Sequence, residues 1–254
     1  MKTLVVIPTY CEADSIQTTV RGVRAHCPTA DVLVVDDGSP DATQARVREL
    51  MARDDRIRLM ARPGKDGLGR AYVAAFRQGL AEGYDVLVEM DADGSHRPVD
   101  LPGLLSALDQ ADLVIGSRWV EGGATEGWPM VRRLISKGGN RYARAILRFP
   151  IKDSTSGFRA FDARALATCL PERPAAQGYA FQVEMAWRLW SAGFQVREAP
   201  ILFRERTEGS SKMTVGIAVE AAARILQWRL SGAPSSPRPA SNRVPLDPEF
   251  ESEP

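Results

Sequence analysis

The chain is predicted to fold as an α/β domain with a mainly parallel central sheet flanked by helices. Five short apolar runs, rich in β-branched residues, recur through the first half of the chain at residues 4–7, 32–35, 57–60, 86–90 and 113–115. These runs lack regular alternation with polar residues, which is typical of strands covered on both faces. Helix-like segments separate them, and this βαβ order favours parallel strands joined by right-handed crossovers.

Start signals and apolar stripes indicate where the helices lie. Asp14 with Gln17 three residues later resembles a capping box, and Asp41 is a candidate cap for a second helix. Leucines at helical spacing predict a further helix near residues 101–108. In the second half we predict a helix over residues 180–192, an extended segment over 196–204 and a last helix over 214–230.

Composition and charge indicate an ordinary globular protein. The 254 residues are 44% hydrophobic and 26% charged, and the formal net charge of +1 gives no overall attraction to nucleic acid. Cys11, Cys27 and Cys169 lack the spacing of a zinc or redox motif, so we interpret them as reduced thiols in the cytosol. No apolar run reaches the ~20 residues that span a bilayer. We predict one domain over residues 1–232 and a disordered tail over 233–254.

Polar side chains follow four of the predicted strands, at the sheet edge where open parallel sheets bind ligands. Asp91 and Asp93 follow the fourth strand, and paired carboxylates suit Mg²⁺ or Mn²⁺, which prefer oxygen ligands. A lone pair at this spacing is also common in polar turns. Four such strand ends together favour a binding site, and the other three carry Tyr10 and Glu12, Asp36 and Asp37, and Arg118.

These residues and their neighbours resemble the family 2 glycosyltransferases of GT-A (Rossmann-like) fold, and more closely the polyprenol (dolichol) phosphate mannosyltransferases. The resemblance extends from about residue 3 to about residue 230, and residues 88–96 look like those of the actinobacterial members. It rests on Pro8-Thr9-Tyr10-x-Glu12, Val35-Asp36-Asp37-Gly38-Ser39, Gly67-Leu68-Gly69, Asp91-Ala92-Asp93-Gly94-Ser95-His96, Gly116-Ser117-Arg118, residues 132–138, 153–159 and 178–184, and Arg206-x5-Lys212.

The resemblance implies a role for individual positions. Asp93 would ligate Mg²⁺ or Mn²⁺, with Asp91 and Ser95 as further candidate ligands, and Asp91, Asp93 and Arg118 would be catalytic. Ser95 stands where some relatives carry Gln, and Cys11 stands where Asn is common. The donor and phosphate-binding set would comprise Pro8, Tyr10, Glu12, Val35, Asp37, Asp91, Ala92, Asp93, Arg118, Arg132, Arg206 and Lys212.

The implied activity is transfer of mannose from GDP-mannose to a polyprenyl (dolichyl-type) phosphate, with inversion at the anomeric carbon. A phosphate monoester has a second pKa near ~6 and is mostly dianionic at neutral pH. We therefore expect it to attack without a dedicated general base, positioned by Arg118, Arg132 and Lys212, and we expect His96 to pack rather than catalyse. The implied location is the cytoplasmic face of the cell membrane, with a membrane-anchoring partner protein as a further candidate.

Three other functions remain as alternatives. The donor would be UDP-glucose or UDP-N-acetylglucosamine in a related glycosyltransferase. A nucleotidyltransferase also uses paired carboxylates and a metal, but it needs a Gly-rich basic motif where this chain has Pro-Thr-Tyr-Cys-Glu. A non-catalytic partner subunit is opposed by the intact Asp91, Asp93, Arg118 and Lys212.

Two basic or amphipathic segments each have two interpretations. The basic residues between 132 and 148 form either a solvated helix face or a surface for anionic headgroups, and we favour headgroups for Arg132, Arg133 and Lys137. The last predicted helix carries Ile217, Ile225 and Trp228 on one face. That face either packs in the core or lies at a membrane interface.

Overall fold

The computed structural model describes residues 1–172, 174, 178–205 and 215–232. The strands in this part of the chain are β1 (Thr3–Thr9), β2 (Asp31–Asp36), β3 (Ile57–Ala61), β4 (Val86–Glu89), β5 (Leu113–Ser117), β6 (Ala124–Glu126), β7 (Arg159–Asp162), β8 (Val196–Pro200) and β9 (Leu202–Arg204). The helices are α1 (Ile16–His26), α2 (Thr43–Met51), α3 (Leu68–Ala81), α4 (Leu101–Ala107), α5 (Met130–Leu147), α6 (Ala163–Cys169), α7 (Tyr179–Ser191) and α8 (Val215–Ser231).

Seven strands form one central sheet in the order β3-β2-β1-β4-β7-β5-β8. Every neighbouring pair is parallel except those that include β7, which runs antiparallel to both β4 and β5. The predicted mainly parallel sheet is therefore confirmed. Because β1, β2, β4 and β5 run in one direction, their carboxyl ends meet at the same edge. A separate two-stranded parallel sheet joins β6 to β9.

All five strands predicted in the first half are present, but β7 was not predicted. Its sequence, Arg159-Ala160-Phe161-Asp162, has only two apolar residues between charged ends, which is too short for a periodicity to show. Its backbone pairs with β4 and β5, and the charge of the buried Arg159 is compensated by hydrogen bonds. The guanidinium donates to the carbonyls of Ser154, Ser156 and Gln182 at 2.6–2.7 Å.

Hydrophobic residues cover both faces of the sheet, which explains the uninterrupted apolar runs. Along β1, Val5 packs with the side of the sheet that holds α1 and α4, whereas Val6 packs with the side that holds α3 and α7. The stacked rings of Tyr72 and Phe76 fill the second side. A sheet buried in this way has its polar residues at strand ends, and that is where the site lies.

The predicted helix starts are partly confirmed. The capping box at Asp14 is wrong: α1 begins at Ile16, and Ser15 before it makes no side-chain cap hydrogen bond. Gln17 instead donates to Glu49 of α2 at 2.8 Å. Asp41 does act at the start of α2, since its carboxylate accepts hydrogen bonds from the amide and the hydroxyl of Thr43.

The last helix packs into the core. Ile225 and Trp228 are buried, and the Trp228 ring stacks on Trp187 with centroids 6.0 Å apart. The Tyr142 hydroxyl of α5 donates to the Ala222 carbonyl at 3.1 Å. The core interpretation therefore holds for these residues, whereas Ile217 lies outside the side chains that the structure describes. Among the described helices, none is both long and apolar enough to cross a membrane. The predicted tail over residues 233–254 also lies outside the described part.

Candidate active site

Asp91 and Asp93 stand directly after β4, at the edge where the parallel strands end. Both are partly exposed, and the Asp91 side chain retains 35% of its accessible surface. Ala92 between them is buried, and its carbonyl accepts a hydrogen bond from Thr19 of α1 at 3.0 Å. This hydrogen bond fixes the backbone at Ala92, and the carboxylates of Asp91 and Asp93 lie on either side of that fixed residue.

His96 holds this turn from behind. Its Nδ1 accepts the backbone N–H of Asp91 at 3.0 Å, and its ring lies between Phe158 and Phe203, with centroid distances of 5.1 and 5.3 Å. Burial lowers the pKa of His96 to about 4, so the imidazole is neutral at pH 7. The expectation that His96 packs and hydrogen-bonds in the loop is confirmed.

Ser95 lies beneath the pair of carboxylates. Its backbone N–H donates to Asp93 Oδ1 at 3.0 Å, which shapes the turn. The Ser95 hydroxyl is buried, and its Oγ has no hydrogen-bond partner among the residues described. No group of three or more His, Cys, Asp or Glu side chains within the described ranges could hold a metal ion. A cation at Asp91 and Asp93 therefore needs further ligands from a substrate or from water.

The two acidic residues at the carboxyl end of β2 have different partners. Asp36 is fully buried and accepts hydrogen bonds from Thr9, Ser39 and Gln44 at 2.6–3.0 Å, so it ties β1 to the loop after β2. Asp37 forms an ion pair with Arg62. Burial raises the pKa of Asp37, and the Arg62 charge opposes that shift. Asp37 is therefore paired with a cation, Arg62, whereas Asp36 is held by uncharged hydrogen-bond donors.

The remaining predicted nucleotide-binding residues line the same edge. Tyr10 is partly buried, with the Lys65 ammonium 4.4 Å from its ring centroid. The Glu12 amide donates to Thr43 of α2 at 2.9 Å, which anchors the loop after β1. Pro8 of β1 pairs in register with Val35 of β2, so these two residues are brought together as predicted.

Arg118 is buried against an acidic partner that the sequence did not reveal. Its guanidinium binds both oxygens of Asp153, at 2.7 and 2.6 Å, and it also donates to Thr155. The amide of Asn140 from α5 joins Asp153 and Thr155 at 3.3 and 3.0 Å. A phosphate near Arg118 would therefore meet a guanidinium whose charge is already shared with a carboxylate.

An aromatic cluster of Trp119, Trp128 and Phe203 lies next to Arg118. The Arg132 guanidinium stacks 4.1 Å from the Trp128 ring centroid and donates to Glu205 at 2.8 Å. Each cation–π contact of this kind contributes about 0.5–2 kcal/mol. The cluster thus holds Arg132 in a defined orientation beside the site. The predicted Arg206 and Lys212 lie outside the described residues.

A row of buried polar side chains lies on the inner side of Asp91. Glu89 of β4 pairs in register with Arg159 of β7, and Gln182 of α7 and Tyr72 of α3 lie on the same face. Burial raises the pKa of Glu89 to about 7, although the Arg159 charge opposes the rise. Burial also lowers the pKa of Arg159 to about 10. This row was not predicted from the sequence, in which its one visible sign is the charged Glu89 inside the apolar run 86–90.

Comparison with known proteins agrees with this geometry. Residues 4–170 match the family model described as Glycosyl transferase family 2. The undecaprenyl-phosphate mannosyltransferase of Micrococcus luteus is 47% identical over 231 residues, which is 91% of this chain and 95% of that protein. The polyprenol monophosphomannose synthase of Mycolicibacterium smegmatis is 46% identical over 233 residues, which is 91% of this chain and 88% of that protein.

A solved structure with low sequence identity has the same fold. Glucosyl-3-phosphoglycerate synthase from Mycobacterium tuberculosis, in complex with Mn²⁺, UDP and phosphoglyceric acid, superimposes with a TM-score of 0.67 at 19% identity. The match covers 92% of this chain and 80% of the other. The GT-A fold expected from the sequence motifs is therefore confirmed. From its match to the family model and its two relatives of nearly half identical sequence, the chain belongs to the family 2 glycosyltransferases, and it is a glycosyltransferase.

Proposed function

We propose that this enzyme transfers mannose from GDP-mannose to a polyprenyl phosphate and forms polyprenyl phosphate β-mannose. The observation that carries the proposal is the 46–47% identity, over 91% of the chain, to an undecaprenyl-phosphate mannosyltransferase and a polyprenol monophosphomannose synthase. The strand-end carboxylates Asp91 and Asp93 are consistent with it. The product would supply mannose for the cell-envelope glycans or glycoproteins.

We propose that the guanosine lies across the ends of β1 and β2. Pro8, Tyr10, Glu12, Val35 and Asp37 would contact it there. The Tyr10 ring offers a face for base stacking, and the Asp37 carboxylate offers acceptors for the base or ribose. A nucleotide that displaced Arg62 from Asp37 would meet a carboxylate that is already partly buried.

The residues after β4 fit a divalent cation. Asp93 would hold Mg²⁺ or Mn²⁺, with Asp91 and the buried Ser95 hydroxyl as further candidate ligands, and carboxylate and hydroxyl oxygens are ligands that both ions accept. When bound, the ion would act as a Lewis acid that stabilises charge on the leaving diphosphate. Asp93 is pre-oriented for this task by the Ser95 N–H.

The acceptor phosphate would attack directly and invert the anomeric carbon. It is mostly dianionic at neutral pH, so the reaction needs no general base. The neutral His96 is consistent with this, because its Nδ1 is engaged with the Asp91 backbone and is not free to take a proton. Arg132, held by Trp128, would orient the phosphate together with Arg118 and Lys212.

The membrane surface would dock against the N-terminal half of α5. Met130, Val131, Leu134 and Ile135 are 70, 66, 62 and 54% exposed there. The exposed Arg133, Lys137 and Arg141 are interleaved with them. An apolar face flanked by cations is complementary to a bilayer with anionic headgroups. We propose peripheral binding at the cytoplasmic face, with or without an anchoring partner protein.

The proposal is tested by incubating enzyme and polyprenyl phosphate separately with GDP-mannose, UDP-glucose and UDP-N-acetylglucosamine. We expect product from GDP-mannose alone, whereas product from a UDP donor would favour the related glucosyl or N-acetylglucosaminyl activity. Asp93→Ala should abolish transfer, because the variant loses the proposed cation ligand. Asp55→Ala is the matched control, since Asp55 is exposed before β3 at the opposite sheet edge. Full turnover by Asp93→Ala in chelator would refute the metal assignment.

A further inference from the structure

A small space bounded by polar groups lies beside Asp91, over Gly157. A Cβ atom on Gly157 would stand 3.7 Å from Asp91 Oδ2, 3.6 Å from Gln182 Nε2 and 3.7 Å from His96 Cε1. Two side chains from the loop after β4 and one from α7 therefore converge on one point. These distances are ordinary contact distances, so an added methyl group would fill the space without a clash.

The backbone does not require glycine at this position. Gly157 lies outside the positive-φ region, unlike Gly38 and Gly94, whose φ values are 73° and 76°. An alanine can adopt the conformation of Gly157. What glycine provides here is therefore open space between Asp91 and Gln182 rather than a special turn.

Gln182 faces this space with unused hydrogen-bonding capacity. The residue is 2% exposed, and its amide lies near enough to the Glu89 carboxylate to lower the pKa of that group, but neither Nε2 nor Oε1 makes a hydrogen bond of normal length and angle in the described part of the chain. The carboxylate of Glu89 and the hydroxyl of Tyr72 are also buried there without a hydrogen bond of normal length and angle. Buried polar groups are nearly always hydrogen-bonded, and an orphaned amide is explained by a partner that arrives with a ligand.

We propose that Gln182 is a specificity-determining residue that hydrogen-bonds a hydroxyl of the donor hexose in the space over Gly157. An amide offers both a donor and an acceptor, as a sugar hydroxyl does, so the two groups are complementary. A hydroxyl that enters breaks no side-chain hydrogen bond of normal geometry at Gln182, although it would compete with the interaction between the amide and Glu89. The inference rests on the proposed function, because it requires a sugar donor at Asp91.

Gln182 then discriminates between hexoses that differ in one hydroxyl. A site built to hydrogen-bond a hydroxyl rejects analogues that present it elsewhere, because its buried polar atoms stay unpaired. The nucleotide is not contacted by Gln182. Changes at this position should therefore alter use of the sugar donor and leave GDP binding unchanged.

The test compares Gln182→Met and Gly157→Ala with wild type. Methionine keeps the length of Gln182 without its hydrogen bonds, and alanine fills the space. We expect kcat/KM for GDP-mannose to fall about 10–100-fold in both variants. The preference for GDP-mannose over GDP-glucose, measured as the ratio of the two kcat/KM values, should fall as well. Calorimetry with GDP and Mn²⁺ should give Kd values within about two-fold of wild type. Gly103→Ala, on α4 with no atom within 4 Å of the added Cβ, is the control.

The outcomes separate this inference from the proposed function. If wild type uses none of the tested nucleotide sugars, the proposed function fails and the inference fails with it. If wild type is active and both variants keep the same kcat/KM and donor ratio, the inference alone is overturned. A parallel loss of GDP affinity would assign Gln182 to the nucleotide or to folding, and it would also overturn the inference.

Discussion

Three buried carboxylates behind the strand ends differ in how their charge is compensated. Asp36 accepts four hydrogen bonds, and Asp153 binds the Arg118 guanidinium with both oxygens. Glu89 accepts no hydrogen bond of normal geometry from the described residues, and the Arg159 charge and the nearby Gln182 amide offset its burial only in part. Protonation of Glu89 is therefore coupled to the stability of the fold.

Glu89→Gln tests this coupling. The pKa of Glu89 is raised to about 7 in the folded state, against 4.5 as the ordinary value. Between these values the folded state binds the proton and the unfolded state does not, so wild type loses stability as pH rises from 4.5 to 7. The unfolding free energy of Glu89→Gln minus that of wild type should rise over this window by about 3 kcal/mol. Urea titrations in chelator at several pH values measure it, and a flat difference would contradict it.

Cys11 is held in a conformation that suits other residues better. Its φ is 59°, in the left-handed region, and its side chain is exposed. This region costs a residue with a Cβ roughly 1 kcal/mol, and asparagine adopts it more readily. Cys11→Asn should raise the unfolding free energy by about 0.5 kcal/mol. Cys11→Ala removes the thiol, but alanine does not favour the left-handed region, so the unfolding free energy should stay unchanged. Thermal or urea unfolding decides between them, and a destabilised Cys11→Asn would be contrary evidence.

At the scale of elements, the loop after β5 is packed backbone to backbone. A Cβ on Gly123 would lie 2.5 Å from the Ser117 carbonyl oxygen and 3.0 Å from the Arg118 carbonyl carbon. Backbone atoms of this kind cannot move aside as a flexible side-chain end can. Gly123 therefore allows β6 to start close to the segment that carries Arg118.

Gly123→Ala should destabilise the protein by about 1–3 kcal/mol, because the added methyl group overpacks this contact. Gly103→Ala is again the matched control. Gly103 lies inside α4 with no atom near its Cβ position, so alanine should stabilise by about 0.5–1 kcal/mol. Urea unfolding of both variants measures the contrast. Equal stabilities for the two variants would show that the loop relaxes freely around residue 123.

The sequence predicted the elements that carry long apolar runs and missed those that depend on tertiary contacts. The first five strands follow from short apolar runs, and the leucine helix α4 follows from helical spacing. β7 is a strand because its backbone pairs with β4 and β5, which are remote in sequence, and no local pattern contains that information. Pro8 and Val35 were correctly placed together, since parallel strand ends meet. Asp153 and Gln182 were not assigned roles, because their partners are remote in sequence.

At the scale of the whole molecule, the apolar and basic face of α5 lies next to the site. Asn140 of α5 contacts Asp153, the partner of Arg118. Arg132 stacks on Trp128 at the other end of the same helix segment. A bilayer against this face would bring a lipid phosphate close to Arg118 and Arg132. Because the net charge is only +1, the proposed attraction to anionic lipid would come from this face and not from the molecule as a whole.

Leu134→Glu with Ile135→Glu should abolish binding to vesicles that contain anionic lipid, since the change places charge in the proposed interface. Wild-type binding should weaken as salt increases, because the exposed cations contribute about 1 kcal/mol each at low ionic strength. Transfer to a water-soluble short-chain prenyl phosphate should be retained by the variant. Flotation with vesicles and the transfer assay measure these quantities. Vesicle binding by the variant equal to that of wild type would exclude α5 as the docking face.

The antiparallel strand in the middle of the sheet has a consequence for synthesis of the chain. β4 is complete at Glu89, but its neighbour β7 ends only at Asp162. A nascent polypeptide that has not yet emerged to that point presents the hydrogen-bonding edge of β4 to solvent, and open strand edges invite intermolecular pairing. Fragments that stop before residue 162 should therefore aggregate. The part of the sheet that precedes Asp91 and Asp93 cannot complete its pairing until Arg159–Asp162 has been synthesised.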